Sequence, residues 1–245
     1  MHRFFVSCKS ISANKIVISD NKQVHYLRDV LRLKVKDKVV AFDEQGNEFN
    51  CLIKKNLSGK IILDIKKTNP PASTQKRISL SLACAIPKRS NMDDIIDKLT
   101  QAGVDRIIPL KTKRVIVNFD EEKKRSRLER WCKIAQSAAQ QAKRNTLPII
   151  EPVKDIKKVI LESKNYALKL IPTLTGERKT LKEVLQTHKP RSVLVFIGPE
   201  GDFTDEEVDL AKQSGFIPVT LGNLVLRVET AAVAVASFIR LYADR

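Results

Sequence analysis

Cysteine is sparse in this chain. Cys8, Cys51, Cys84 and Cys132 lie far apart and none belongs to a C-x-x-C pair, which excludes a zinc knuckle and a disulfide framework. They read as small buried hydrophobes of a reducing cytosol. His2, His25 and His188 show no ligand spacing, so no metal is expected. No run of roughly 18 apolar residues occurs, and polar residues follow Met1-His2-Arg3-Phe4-Phe5-Val6, so neither a membrane span nor a secretory leader is expected. The expected location is the cytoplasm. Neither G-x-x-x-x-G-K-[ST] nor G-x-G-x-x-G is present, which removes the P-loop and the dinucleotide turn. Acidic residues are also few, 28 against 45 Lys+Arg, giving a net charge of +17 and a pI near 9.8.

What is present is consistent with one large domain or two modest ones: 245 residues, 42% hydrophobic, enough for a sizeable core. The charge is unevenly placed. Residues 1–70 hold 14 Lys+Arg against 7 Asp+Glu, residues 71–150 hold 17 against 8, and residues 151–245 hold 14 against 13. A polyanion is the expected partner of the first two thirds, and the near-neutral last third suits a small molecule.

Short apolar runs at residues 4–6, 15–18, 38–42, 48–53 and 60–65, with a hairpin signal at 43–47 and one helical turn, predict a small β-barrel over 1–70. Prolines and small polar residues at 68–75 read as a linker. Beyond it, over 76–245, strands alternate with helices. Strands are expected at 78–85, 104–110, 149–150, 166–171, 193–197 and 216–221. Ser90-Asn91 is expected to cap a helix whose Met92, Ile95, Ile96, Leu99 and Ala102 share one face. Leu128, Trp131, Ile134, Ala135, Ala138 and Ala142 give helical spacing to a Lys/Arg-rich segment. Thr204-Asp205-Glu206-Glu207 is a capping box, Gly215 closes its helix, and the chain ends in an apolar helix. The alternation predicts an α/β fold with a mostly parallel sheet, which binds ligands at the carboxyl ends of its strands.

Two glycine turns fall at such ends, Gly198-Pro199-Glu200-Gly201 and Leu221-Gly222. The first places an acid where a phosphate would approach, so a neutral or cationic ligand suits it better than ATP. The sulfonium of S-adenosylmethionine qualifies. A turn of this kind also forms with no ligand, simply because glycine is a default turn residue.

Ile197-Gly198-Pro199-Glu200-Gly201, Leu221-Gly222 and Leu226-Arg227-Val228-Glu229-Thr230-Ala231 resemble the cofactor loops of the SPOUT methyltransferases. More narrowly they resemble the 16S ribosomal RNA uridine-N3 methyltransferases, the RsmE family, as do the segments at 25–33 and 140–148. The resemblance implies an N-terminal PUA-like RNA-binding barrel at 1–70 and a SPOUT domain with a deep trefoil knot at 76–245. It also implies S-adenosylmethionine as cofactor and a homodimer whose subunits complete each site, the terminal helix contributing to the interface. Ile197, Gly198, Pro199, Gly201, Leu221, Gly222, Leu226 and Thr230 would bind the cofactor. Two positions depart from the family: Asp202 stands where glycine is usual, and Leu224 where arginine is usual.

Methylating N3 of uracil displaces an imide proton and leaves charge on the ring carbonyls. Arg227 is the expected electrostatic partner, with Glu229 or Glu200 as base or orienting group. Arg28, Arg32, Lys34, Lys113, Arg114, Lys143 and Arg144 are the expected RNA-gripping residues, and 16S ribosomal RNA or the small ribosomal subunit is the expected partner. Two other readings fit the sequence: a non-catalytic RNA-binding assembly factor with the same fold, and a methyltransferase acting on another RNA.

Overall fold

A computed structural model describes residues 2–71, 77–87, 92–115 and 120–243. The proposed cap at Ser90-Asn91 lies outside the described residues. The chain divides into two compact units, one formed by residues 1–73 together with 139–147, the other by residues 74–138 and 148–245. Residues 139–147, which the sequence reading placed in the second domain, group with the first.

In the first unit, strands β1 (His2–Phe5), β2 (Ile11–Ser12), β3 (Lys15–Ile18), β4 (Lys38–Phe42), β5 (Glu48–Leu57) and β6 (Lys60–Asn69) form one sheet in the order β1-β4-β5-β6-β3-β2. Alternate residues point inward, as the two-residue period of a strand requires. Ile16, Ile18, Val39, Ala41, Cys51, Ile53, Ile61 and Leu63 form its core with Val24, Leu27 and Leu33. The last three come from and just after helix α1 (Asn21–His25), which Asp20 caps and which widens into a π-turn over Tyr26–Val30. Asp43 accepts from the backbone N–H groups of Gln45 and Asn47 and so fixes the hairpin between β4 and β5. Residues 139–147 are fastened by Arg3. Its guanidinium lies 4.5 Å from the Phe42 ring centroid, pairs with Glu48 and donates to the Asn145 side-chain oxygen.

The second unit holds an eight-stranded sheet in which every pairing is parallel. Its strands are β7 (Ser79–Ala85), β8 (Arg106–Lys111), β9 (Ile149–Ile150), β10 (Lys154–Asp155), β11 (Leu168–Pro172), β12 (Lys179–Thr180), β13 (Ser192–Ile197) and β14 (Ile217–Thr220). They run β10-β8-β7-β13-β11-β14-β12, with β9 also beside β8. Leu80, Leu82, Val193, Val195 and Ile197 face one core, which takes in residues of α2 (Met92–Gln101), α3 (Glu121–Gln141), α5 (Leu181–His188) and α7 (Val228–Ala243). Ala83, Leu194 and Phe196 face another, closed by α4 (Ile156–Glu162) and α6 (Asp205–Gln213). Central strands apolar on both faces are what a buried parallel sheet demands.

Two sequence expectations change. Cys51 and Cys84 are buried, with burial pushing the Cys51 thiol up to about 12 and the Cys84 thiol higher still, but Cys8 and Cys132 are exposed. Cys132 lies on the polar side of α3, one residue after the buried Trp131. Helices α4 and α5 and the short strands β10 and β12 were not anticipated. Among the described residues no helix is long and apolar enough to cross a membrane, and no group of His, Cys, Asp and Glu is arranged to hold a metal ion.

Candidate active site at the ends of three parallel strands

Strands β13, β11 and β14 are neighbours in register, so their carboxyl ends and following loops lie together. A hollow opens there. It spans ≈590 Å³ including its open mouth, within the ~300–1,000 Å³ usual for small-molecule sites. Its lining comes from three loops. Ile197 ends β13 and Gly198, Pro199, Glu200 and Asp202 follow it; Pro172 ends β11 and Thr173, Leu174 and Arg178 follow it; Leu221, Gly222, Leu224, Val225 and Leu226 follow β14, with Val228 and Ala231 from α7.

The first loop turns at once from strand to helix. Asp202 takes the left-handed region, φ +61, and Thr204 then caps α6. The Thr204 hydroxyl accepts from the Glu207 N–H, and the Glu207 carboxylate accepts from the Thr204 N–H at 2.9 Å. Glu207 is buried, and its other oxygen accepts the Lys113 N–H at 2.8 Å. Gly198 is required by close approach: a Cβ there would sit 3.1 Å from an Asp202 carboxylate oxygen and 3.1 Å from the Phe203 ring. Phe203 in turn packs in the core with Phe196, ring centroids 6.2 Å apart. In the third loop Gly222 has φ +112 with open space around its Cβ position, and Leu224 and Val225 are 78% and 74% exposed.

Six of the eight residues expected to bind a cofactor line this hollow: Ile197, Gly198, Pro199, Leu221, Gly222 and Leu226. Gly201 and Thr230 do not. Glu200 lines it; Arg227 and Glu229 do not, although Arg227 stands in the chain between the lining residues Leu226 and Val228. The Arg227 side chain is exposed and makes no ion pair with Glu229. Glu229, in the first turn of α7, lies near Lys98 and helps hold that ammonium's pKa up, after the larger effect of Asp94. Pro172, Thr173, Leu174 and Arg178 escaped sequence reading. Their signal was the strand expected at 166–171, whose carboxyl end also had to carry lining residues in a parallel sheet.

The expected RNA-gripping cations separate. Arg28, Arg32, Lys34, Lys143 and Arg144 belong to the first unit, Lys113 and Arg114 to the second. Arg28 donates twice to Asp29, which also meets His25 at 2.7 Å. The Arg28 guanidinium pulls the Asp29 carboxyl down to about 2, even against its own desolvation. Arg32 and Lys143 are exposed at positive φ, and Lys34 is exposed. Lys113 and Arg114 are committed within the second unit: Lys113 pairs with Glu206, and the Arg114 guanidinium donates to the Gly201 carbonyl.

Comparison with known proteins accounts for this arrangement. Residues 74–240 match the model of an RNA methyltransferase domain, and residues 18–65 match that of an RNA methyltransferase PUA domain. A ribosomal RNA small subunit methyltransferase E from Mesomycoplasma hyopneumoniae is 32% identical, covering 95% of this chain and 96% of its own. The enzyme of that name from Neisseria gonorrhoeae, solved with S-adenosyl methionine, superposes with a TM-score of 0.87 at 26% identity, over 99% of this chain and 98% of its own. A Legionella pneumophila methyltransferase solved with bound SAM gives 0.86 at 28% identity, over 98% and 97%. With both units matched in order and the hollow formed by the very turns that carry the motifs, the chain belongs to the ribosomal RNA small subunit methyltransferase E family.

Proposed function

We propose that this protein transfers the methyl group of S-adenosylmethionine to N3 of a uridine in the 16S ribosomal RNA of the small subunit, working in the cytoplasm. The observation that carries the reading is the hollow itself. It has an apolar floor, two glycine turns and the carboxylates Glu200 and Asp202 in its wall, and it lacks the phosphate-binding loop a nucleotide would need. A planar base can approach the backbone at Gly198 and Gly222 where no Cβ intervenes, and a cationic group meets the Glu200 carboxylate, Asp202 being taken up by backbone N–H groups and Arg178 by the Thr173 carbonyl. These features fit S-adenosylmethionine, which when bound supplies an electrophilic methyl group.

Ile197, Gly198, Pro199, Leu221, Gly222 and Leu226 hold the cofactor, with Gly201 in the first turn and Thr230 in the first turn of α7 completing the set. Arg227 stabilises the charge that develops on the uracil carbonyls as N3 loses its proton, and Glu200 or Glu229 receives that proton. Arg28, Arg32, Lys34, Lys143 and Arg144 of the PUA-like unit grip the RNA backbone, so binding weakens steeply with salt. The target base has to be unstacked to be methylated, which favours a single-stranded or flexible site.

The working form is a homodimer. On α7, Ala234, Phe238 and Leu241 form an exposed stripe at helical spacing, with Leu241 70% exposed. A second copy covering this stripe would also shelter Leu224 and Val225, which a lone chain leaves in water.

The test is methyl transfer from labelled S-adenosylmethionine to small subunits and to naked 16S RNA, followed by mass mapping of the product. N3-methyluridine at one position is expected. Methylation at another atom or in another RNA would overturn the substrate assignment, and absence of cofactor binding by calorimetry would favour an RNA-binding factor without catalysis.

A further inference from the structure

Asp202 is the residue in the wall of the hollow whose conformation is hardest to explain by local preference. At φ +61 it holds a left-handed backbone that costs a side-chain-bearing residue stability, though less for Asp than for most. Its carboxylate, however, is fully used. One oxygen accepts the N–H of Phe203, the next residue, at 2.8 Å. The other reaches across to the loop after β11 and accepts the N–H of Leu174 at 3.0 Å. Leu174 and Asp202 both line the hollow, so this bond joins two of its three walls.

The same turn is held by a second contact. The Arg114 guanidinium donates to the Gly201 carbonyl, with the Asp202 and Phe203 carbonyls at 3.4 and 3.5 Å from the same nitrogen. The strained residue therefore stands between a cation gripping its carbonyl side and a backbone N–H bound to its carboxylate. Leu174 has no strand partner to fix it, since β11 ends at Pro172.

We propose that Asp202 is a positioning residue: its carboxylate staples the loop after β11 to the turn after β13 and so presets the width of the cofactor hollow. The proposal rests on reading the hollow as the S-adenosylmethionine site. A staple of this kind acts on binding, because it removes the need to order the Leu174 loop when cofactor enters. It touches no reacting atom, so its loss falls on KM for the cofactor and not on kcat.

Three measurements on the full-length protein separate the possibilities. Asp202→Gly keeps the left-handed turn without strain and deletes the carboxylate; Asp202→Asn keeps one oxygen acceptor and tolerates the same φ. Calorimetry should show Kd for S-adenosylmethionine raised about tenfold by Asp202→Gly, the loss of one charge-assisted hydrogen bond, and partly restored in Asp202→Asn. Methyl transfer at saturating cofactor should show kcat held while KM rises. Amide hydrogen exchange, followed by NMR, should show Leu174 losing protection in Asp202→Gly with the melting temperature unchanged. Unchanged cofactor affinity in Asp202→Gly overturns the proposal, as does unchanged protection at Leu174. If the unmodified protein bound no S-adenosylmethionine, the reading of the hollow would fail instead, and exchange at Leu174 alone would still decide whether the staple exists.

Discussion

The two glycine turns that flank the hollow are built in opposite ways. The turn after β13 is braced on every side: Phe203 is buried behind it, Glu207 and Thr204 cap the helix that follows, Arg114 grips its carbonyls and Asp202 ties it to Leu174. The turn after β14 has little of this. Thr220 exchanges hydrogen bonds of 3.2 Å with Gly222, nothing lies within 4 Å of the Gly222 Cβ position, and Leu224 and Val225 face water. A single chain thus completes one wall and leaves another unsupported. That difference is what a second copy would remove, since apolar side chains exposed at the mouth of a site are stabilised by burial against a partner.

The largest expected effect breaks the comparison by removing that partner. Leu241→Asp places a charge in the apolar stripe of α7, and burying it unpaired costs ~3–5 kcal/mol. The Kd of the proposed homodimer should rise about 100-fold or more, read by analytical ultracentrifugation, and activity should fall with it; an unmodified protein that stays monomeric overturns the dimer reading itself. A variant that stays dimeric and active would place the interface elsewhere.

Next in size is Arg227→Ala. Removing a charge-stabilising donor costs about 10²–10³ in kcat, and cofactor affinity should stay within about twofold, because Arg227 does not line the hollow. A loss confined to cofactor binding would contradict the role given to it. Gly198→Ala tests the braced turn directly. Its new methyl would press on the Phe203 ring and the Asp202 carboxylate at 3.1 Å, and overpacking of this kind costs ~1–3 kcal/mol. Urea unfolding should show that loss together with weakened cofactor binding.

How far the sequence reveals the site follows from the same contrast. The capping box Thr204–Glu207 is a local pattern, and so is the unbroken apolar run of residues 193–197; both were legible because each is decided within one turn or strand. Helix α5 also carries a capping box, Thr180 with Glu183, and buries Leu181, Val184 and Leu185. At eight residues its apolar period is too short to stand out from the polar loop around it. The bond from Asp202 to Leu174 spans 28 residues, and the grip of Arg114 on Gly201 spans 87. No periodicity encodes such pairs, so Arg114 reads from sequence as one more basic residue for RNA. Residues 139–147 group with the first unit through a contact of the same long-range kind. Their anchor, Arg3, lies 142 positions away from Asn145.

The smallest expected effect sharpens the comparison within the first unit, where residues 143–146 play the braced part. The hydrogen bond from Arg3 holds the Glu48 carboxyl below its ordinary value of 4.5, against its partial desolvation. A carboxylate with a depressed folded-state pKa takes up protons more readily when unfolded, so its stabilisation is present above pH 4.5 and is lost as pH falls through the folded value. With the pair only partly buried, the contribution is about 1 kcal/mol. The protection factors of the β4 and β5 amides, corrected for intrinsic exchange, should therefore fall on acidification below that pH, and Glu48→Gln should weaken the dependence. An unaltered pH profile in Glu48→Gln would mean that the Phe42 ring and Asn145 alone hold Arg3, and through it the turn bearing Lys143 and Arg144.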